Sequence, residues 1–357
     1  MKAIILCAGK GTRLRPLTHT SAKHLIPVMN KPVLLYSIEK IKQAGITDIG
    51  LIVSPDNKES FQNVFGDGTD FGVRLEYIVQ KDPKGLAHAV LCAKEYIGDD
   101  DFLMYLGDNL IKEDLDTFIK SFKDSKADAT ILLAPVENPS RFGVAKMKGN
   151  NIIAVVEKPK NPPSNLAIIG VYIFSKAIFE GIANIKPSWR NELEITDAID
   201  YLINNNFIVN GHIIYSWWKD TGMPDDIIEA NRRLLEDLAD SNILGNIAEN
   251  SLTQGKIVIG KGTNILDSVI RGPVIIGENC TITYAYIGPF TSIGDNVDIK
   301  NAEVENSIIM ENSKIINLSR KVDSSLIGKN VFIKEIEGKP KSLKIVLGDH
   351  SQLTLKD

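Results

Sequence analysis

The sequence predicts two domains: an α/β domain on a mostly parallel sheet over residues 1–240, then a parallel β-helix over residues 241–357. Three observations carry this prediction. The chain has 357 residues, long for one hydrophobic core. Up to about residue 240, short apolar runs alternate with amphipathic segments. Beyond residue 251 that pattern stops, and Ile-Gly recurs at 259–260, 276–277, 293–294 and 327–328. The first three copies are 17 residues apart, the last falls two such periods on, and Met310-Glu311 fills the missing place.

In the first domain, AIIL (3–6), IGLIVS (49–54), RLEYIV (74–79), FLMYL (102–106) and ATILLA (129–134) read as mostly buried strands. Between them KPVLLYSIEKIKQAG has apolar residues at helical spacing and stops at Gly45. LAHAVLCAKEYIG (86–98) and LDTFIKSFKDS (115–125) read the same way. Strand–helix–strand order implies a sheet covered on both faces, with its ligand site at the carboxyl ends of the strands. MPDDIIEANRRLLEDLAD (223–240) reads as the last helix, with Pro224 in its first turn and Asp225, Asp226 and Glu229 at the positive end of its dipole. SNILGNIAENS then reads as a linker.

In the second domain the inward apolar residues step by five or six: Ile259, Ile265, Ile270, Ile276, Ile282, Ile287, Ile293, Ile299, Val304. A 3.6-residue helix cannot keep that step. Three short strands per coil can, and roughly five coils would stack into one continuous core.

Composition sets limits on function. The chain is 43% hydrophobic and 24% charged, with formal net charge −4. No Lys/Arg block offers a nucleic-acid footprint. No run of eighteen apolar residues predicts a membrane span, and MKAIILCAGKG is too short for a signal-peptide core. Cys7, Cys92 and Cys280 are scattered, with no C-x-x-C, so reduced thiols in a cytoplasm are expected and a zinc site is not.

Gly-Lys-Gly-Thr occurs twice, in LCAGKGTRLRP (6–16) and IVIGKGTNI (257–265). At 9–12 it follows a strand, but a Walker A loop needs its Lys after the second glycine, and Leu14 stands where a dinucleotide fingerprint needs a third glycine. Backbone amides from Gly9 through Gly11 to Thr12 can nevertheless face phosphate oxygens. Arg13 can fork across a phosphate, and Lys23 adds a point charge. An ordinary glycine turn beside surface basics is the competing reading. Asp108, just after FLMYL, and Asp220, in WWKDTG, each read alone as a turn aspartate or a metal ligand. Glu157-Lys158 reads equally as a solvated pair at a strand end, and Trp217 and Trp218 as packing.

Several motifs in order narrow these alternatives: AGKGTRLRPLT (8–18), SAKHLIPVMNKP (21–32), VQKDPKGLAHA (79–89), YLGDN (105–109), RFGVA (141–145), VEKP (156–159), NELEITD (191–197) and WKDTG (218–222). With them nearly the whole chain resembles the sugar-1-phosphate nucleotidylyltransferases, most closely the long-form glucose-1-phosphate thymidylyltransferases. The resemblance implies a Rossmann-like nucleotidyltransferase domain followed by a left-handed β-helix of hexapeptide repeats. It also implies transfer of a nucleotidyl group from dTTP to glucose 1-phosphate, giving dTDP-glucose and pyrophosphate. Asp108 and Asp220 would then hold Mg²⁺, which takes one or two carboxylates plus phosphate oxygens. Arg13 would meet the triphosphate and Lys23 would bridge phosphates. Gln80 and Gly85 would read the pyrimidine edge, with Leu6 and Gly9 near base and ribose. Gly143, Glu157 and Val171 would line the sugar, and Lys158 and Arg190 would hold its phosphate.

An anionic sugar phosphate needs no general base, and the sequence offers no Ser-His-Asp or Cys-His constellation. UTP, or an N-acetylhexosamine 1-phosphate, is the alternative substrate, and a silent scaffold homologue is the alternative class. The retained Arg13, Lys23, Asp108, Lys158 and Asp220 argue against the silent homologue. Two residues depart from the family pattern: His24 and His88 each stand where Gln is frequent, and each reads as a core or surface histidine. Histidine, the usual acyltransferase base, occurs only at 19, 24, 88, 212 and 350, so the β-helix is expected to be structural and to join subunits of a homo-oligomer.

Overall fold

The computed structural model describes residues 1–335 together with 350, 351 and 354; the remainder of the expected β-helix domain lies outside the described residues. The chain divides into two compact units. One comprises Met1–Lys10, Ser21–Leu25 and Val33–Asp220, and the other Gly11–Thr20, Ile26–Pro32 and Thr221–Asp357.

The first unit opens with β1 (Lys2–Leu6), α1 (Val33–Gln43), β2 (Asp48–Val53), α2 (Lys58–Phe65), β3 (Arg74–Val79), α3 (Leu86–Cys92) and β4 (Phe102–Leu106). It continues through β5 (Asn109–Ile111), α4 (Asp116–Ser125), β6 (Ala129–Pro135), β7 (Gly143–Lys148), β8 (Asn151–Glu157) and β9 (Leu166–Phe174). It closes with α5 (Ile178–Asn184), α6 (Ile195–Asn204), β10 (Val209–Ile213) and β11 (Trp218–Asp220). Among the described residues one nine-stranded sheet runs β3-β2-β1-β4-β9-β6-β10-β8-β7. Its first four strands are parallel, with Ile4 opposite both Gly50 and Met104, so their carboxyl ends share one edge. Antiparallel β9 follows β4, with Val171 opposite Tyr105. Alternate residues of β1 and β4 face two different cores: Ala3, Ile5, Leu103 and Tyr105 one, Ile4, Leu6, Phe102 and Met104 the other. That is why these strands are apolar throughout rather than alternating.

The helices follow their apolar spacing. α1 buries Leu34, Ile38 and Ile41, and left-handed Gly45 ends it as the sequence predicts. The helix predicted over 86–98 is instead two, because Ala93 leaves helical geometry and turns its N–H to the Val90 carbonyl.

In the second unit, three parallel sheets of six, six and five strands stack coil on coil among the described residues. Ile259, Ile276, Ile293, Ile309 and Ile327 form one ladder, and Ile265, Ile282, Ile299, Ile315 and Ile333 another. Each fully buried isoleucine contributes about 1.5–3 kcal/mol of transfer free energy. The corners turn at left-handed asparagines: Asn279, Asn296, Asn312 and Asn330.

The coils differ from the sequence expectation in two places. Ile309, not Met310, stands in register between Ile293 and Ile327. The stretch read as a linker is a coil, since Ile243 pairs with Ile259 and Ile247 with Ile265. The helix α7 (Pro224–Glu236) groups with the second unit. Its buried Asn231 explains why: Nδ2 donates to the Phe290 carbonyl at 3.0 Å, and Oδ1 accepts from Ser292 Oγ at 2.7 Å and from the Met29 N–H at 2.8 Å. Amphipathic spacing reveals that a helix has a partner, not which one.

Candidate active site

The shared carboxyl edge of β1 and β4 carries the first group of candidate residues. Gly107 follows β4 and donates its N–H to Leu6 at 3.1 Å. A Cβ on Gly107 would come 2.6 Å from Cys7 Sγ and 3.1 Å from His24 Cδ2, so only glycine lets the chain reach Asp108 here. Asp108 Oδ2 accepts from Lys23 Nζ in an ion pair with 14% of each side chain exposed. Burial pushes the Asp108 carboxyl up, but the Lys23 charge and hydrogen bond outweigh it and leave the group below the usual range. Gly9 lies against the Lys23 stem, its would-be Cβ 3.4 Å from Cε. Leu6 is buried at the end of β1.

His24 is buried, not superficial, and sits in the same cluster. Burial and then the Lys23 charge lower its pKa to about 3, so the imidazole is neutral, and Nδ1 has no hydrogen-bond partner among the described residues.

Antiparallel β5 and β11 bring in the second aspartate. Asp220 stands opposite Asn109, Lys219 opposite Leu110 and Trp218 opposite Ile111. Asp220 therefore lies across a two-stranded ribbon from the neighbour of Asp108, although 112 residues separate the two aspartates in the chain. Among the described residues no cluster of three or more His, Cys, Asp or Glu forms a closed metal cage. Two hard carboxylate donors at a strand edge fit a cation that takes its remaining ligands from phosphate and water.

The next loop follows β3. Gln80 is buried, and its Nε2 donates to the Gly85 carbonyl at 3.3 Å and lies 2.9 Å from His88 Nδ1. Gly85 has φ 102°, and a Cβ there would lie 2.5 Å from the Leu193 carbonyl oxygen. Leu193 also donates to Lys84 O at 2.8 Å and accepts from the Ala87 N–H at 3.1 Å, which ties this loop to residues 188–194.

Those residues carry the charged end of the site. Gly143 stands opposite Glu157 in the β7–β8 pair, its would-be Cβ 3.2 Å from Glu157 Oε2. Arg190 reaches Glu157 at 3.6 Å, Glu192 at 2.9 Å and Glu194 at 3.4 Å, while Lys158 Nζ is 3.7 Å from Glu157. Thr196 Oγ1 donates to Glu157 Oε2 at 3.3 Å. Lys158 has φ 42°, a left-handed conformation that a lysine adopts at a cost. Val171 is different: its side chain is wholly in the core, leaving only its backbone to meet a ligand. It lies at a bulge in the β9–β6 pairing, beside Gly170 at φ 77°. Asn109 Nδ2 donates to the neighbouring Ile169 carbonyl at 2.6 Å, linking β9 to the aspartate ribbon.

Gly11, Thr12 and Arg13 belong to the second unit. Gly11 has φ 62° and caps a short turn over Thr12–Leu14, with Thr12 and Arg13 exposed and its carbonyl accepting from Thr18 Oγ1 at 2.7 Å. The second Gly-Lys-Gly-Thr copy has other work. Gly262, at φ 75°, takes the corner place that Asn279 takes one coil on. Thr263 is fully buried; its Oγ1 donates to Gly277 O at 2.7 Å and accepts from the Cys280 N–H at 2.9 Å.

The profile of the nucleotidyl transferase family matches residues 2–237. The glucose-1-phosphate thymidylyltransferase of Streptomyces antibioticus is 48% identical over 358 residues, covering 100% of both chains. The low-salt glycan biosynthesis nucleotidyltransferase of Haloferax volcanii is 46% identical over 359 residues, 99% of this chain and 100% of its own. A solved Bacillus anthracis protein assigned as a glucose-1-phosphate thymidylyltransferase, in complex with sucrose, superposes with TM-score 0.63 at 36% identity, over 68% of this chain and 98% of its own. The chain belongs to the nucleotidyl transferase family, whose members generally use a divalent metal. No helix among the described residues is long and apolar enough to cross a membrane.

Proposed function

We propose that this chain transfers a thymidylyl group from dTTP to glucose 1-phosphate. The sugar-phosphate oxygen attacks the α-phosphorus in line, the bond to the bridging oxygen of the β-phosphate breaks, and pyrophosphate leaves. The observation that carries the chemistry is the Lys23–Asp108 ion pair, with Asp220 across the ribbon from Asn109. The choice of thymidine nucleotide and glucose follows from the full-length likeness to the Streptomyces antibioticus enzyme. The catalytic domain is taken as 1–240, in line with the family match over 2–237, and the β-helix domain as 241–357.

In this reading the protein's task is to align two anions that repel one another. Lys23 and Arg13 bind the triphosphate, with Arg13 on the departing pyrophosphate. Gly9, Gly11 and Thr12 offer backbone amides to phosphate oxygens. Gln80 and Gly85 hold the base edge, and Leu6 its face. Glu157 accepts from sugar hydroxyls across Gly143 and the Val171 backbone, while Lys158 and Arg190 hold the sugar-linked phosphate. Asp108 and Asp220 are the residues that would hold Mg²⁺, which supplies charge neutralisation at the α-phosphate when bound.

Pyrophosphate release across a matrix of nucleoside triphosphates and sugar 1-phosphates tests the assignment. The highest kcat/KM is expected with dTTP and glucose 1-phosphate, and no flux with that pair overturns it. UTP is expected to be used as well, at a kcat/KM lower by roughly ten- to two-hundredfold at most, because one methyl is worth only about 1–3 kcal/mol to a hydrophobic pocket. We also propose a cytoplasmic homo-oligomer joined through the β-helix; the cysteines Cys7, Cys92 and Cys280 are all free. Solution scattering that showed a strict monomer would remove the oligomer.

A further inference from the structure

The base-side loop contains one contact that the proposed chemistry does not use. An amide side chain can present either its oxygen or its NH₂ to a ligand, and the two read opposite base edges. In Gln80 the choice is fixed from behind. The Gly85 carbonyl can only accept, so the group facing it at 3.3 Å is Nε2. The second Nε2 hydrogen points to His88 Nδ1 at 2.9 Å, which requires the imidazole to accept there and to carry its proton on Nε2. Both amide hydrogens are thus engaged, and Oε1 accepts no hydrogen bond from the described residues. The bond to Gly85 is long, so His88 is the shorter of the two restraints. His88 sits on α3, the helix that Gly85 caps, so loop and restraint move as one piece.

We propose that His88 is a positioning residue that locks the Gln80 amide with its carbonyl oxygen toward the base, and so selects pyrimidines that carry an N3–H. Thymine and uracil offer that donor. Cytosine offers a bare N3 acceptor, which would face Oε1 and leave two buried acceptors without a proton between them. A mismatch of that kind discriminates far more strongly than a methyl group does. The same geometry explains how His replaces Gln here: either side chain presents an acceptor to Nε2, whereas an apolar one does not.

This inference rests on the assignment of Gln80 to the base site, and the test separates the two. With wild type, His88→Leu, His88→Met, His88→Gln and Gln80→Ala, kcat and KM are measured for dTTP, UTP and dCTP against one sugar phosphate. The Leu and Met variants are expected to lose at least tenfold of the dTTP-over-dCTP preference, through KM for dTTP with kcat little changed. His88→Gln is expected to restore the preference. Leu and Met variants that melt like wild type and keep the full preference overturn the role of His88. Gln80→Ala with an unchanged KM for dTTP overturns the base site itself, and the inference with it.

Discussion

Asp108 and Glu157 are both carboxylates at strand ends, yet their surroundings drive them in opposite directions. Burial raises each, but at Asp108 the Lys23 ion pair wins, whereas at Glu157 burial prevails over Lys158 and Arg190 and the group stays above its ordinary range. The consequence for stability follows from linkage. A carboxyl that holds its proton more tightly when folded costs stability as pH rises through its unfolded and then its folded pKa. Glu157→Gln is therefore expected to melt at or above wild type at pH 7 and to show no such gain below pH about 4, where both states are protonated. Its KM for sugar phosphate is expected to rise roughly tenfold or more, the value of a charged hydrogen bond. A melting point lower at pH 7 than the wild type's, in calorimetry across pH, would contradict this account of Glu157. The motifs made Asp108 visible in the sequence. Its pairing with Lys23, 85 residues away, was not visible, because only the β1–β4 register brings those loops together. His88 was missed as a partner of Gln80 for a simpler reason: a lone histidine carries no spacing signal.

At the scale of elements, two identical tetrapeptides show how context assigns work. Both Gly11 and Gly262 are left-handed, at φ 62° and 75°, so a side chain at either is strained. Gly262→Ala should lower stability by about 1–2 kcal/mol, from the left-handed backbone and its contact with Asn279, and leave kcat/KM nearly unchanged. Gly11→Val should remove most nucleotide binding, read as a steep rise in KM for dTTP. Equal losses of activity in both variants would mean that the second copy is more than a corner. The corners were legible because Gly and Asn recur at them coil after coil. The first coil was not, since Leu244 follows Ile243 where Gly follows Ile259, Ile276, Ile293 and Ile327, and the period is hidden there.

For the whole molecule, the parallel strands and the repeat were readable because each is a periodicity. The antiparallel strand β9 was not, since its partners β4 and β6 are distant in sequence and leave no local mark. The anchor of α7, the polar Asn231, leaves no such mark either. Asn231→Leu should cost at least about 1–3 kcal/mol in chemical denaturation, the value of a single unsatisfied group, because the Ser292 hydroxyl, the Met29 N–H and the Phe290 carbonyl all lose a buried partner. A variant as stable as wild type would show that water replaces the amide there.

What joins these scales is the claim that Asp108, held by Lys23 and next in the chain to Asn109, which faces Asp220, carries nucleotidyl transfer. The most direct measurement is pyrophosphate release by Asp108→Ala with dTTP and glucose 1-phosphate, taken beside its melting curve. Turnover is predicted to fall by roughly a thousandfold or more, the loss of several kcal/mol of charge stabilisation, in a protein that still unfolds cooperatively. Near-normal turnover in that folded variant would contradict the account.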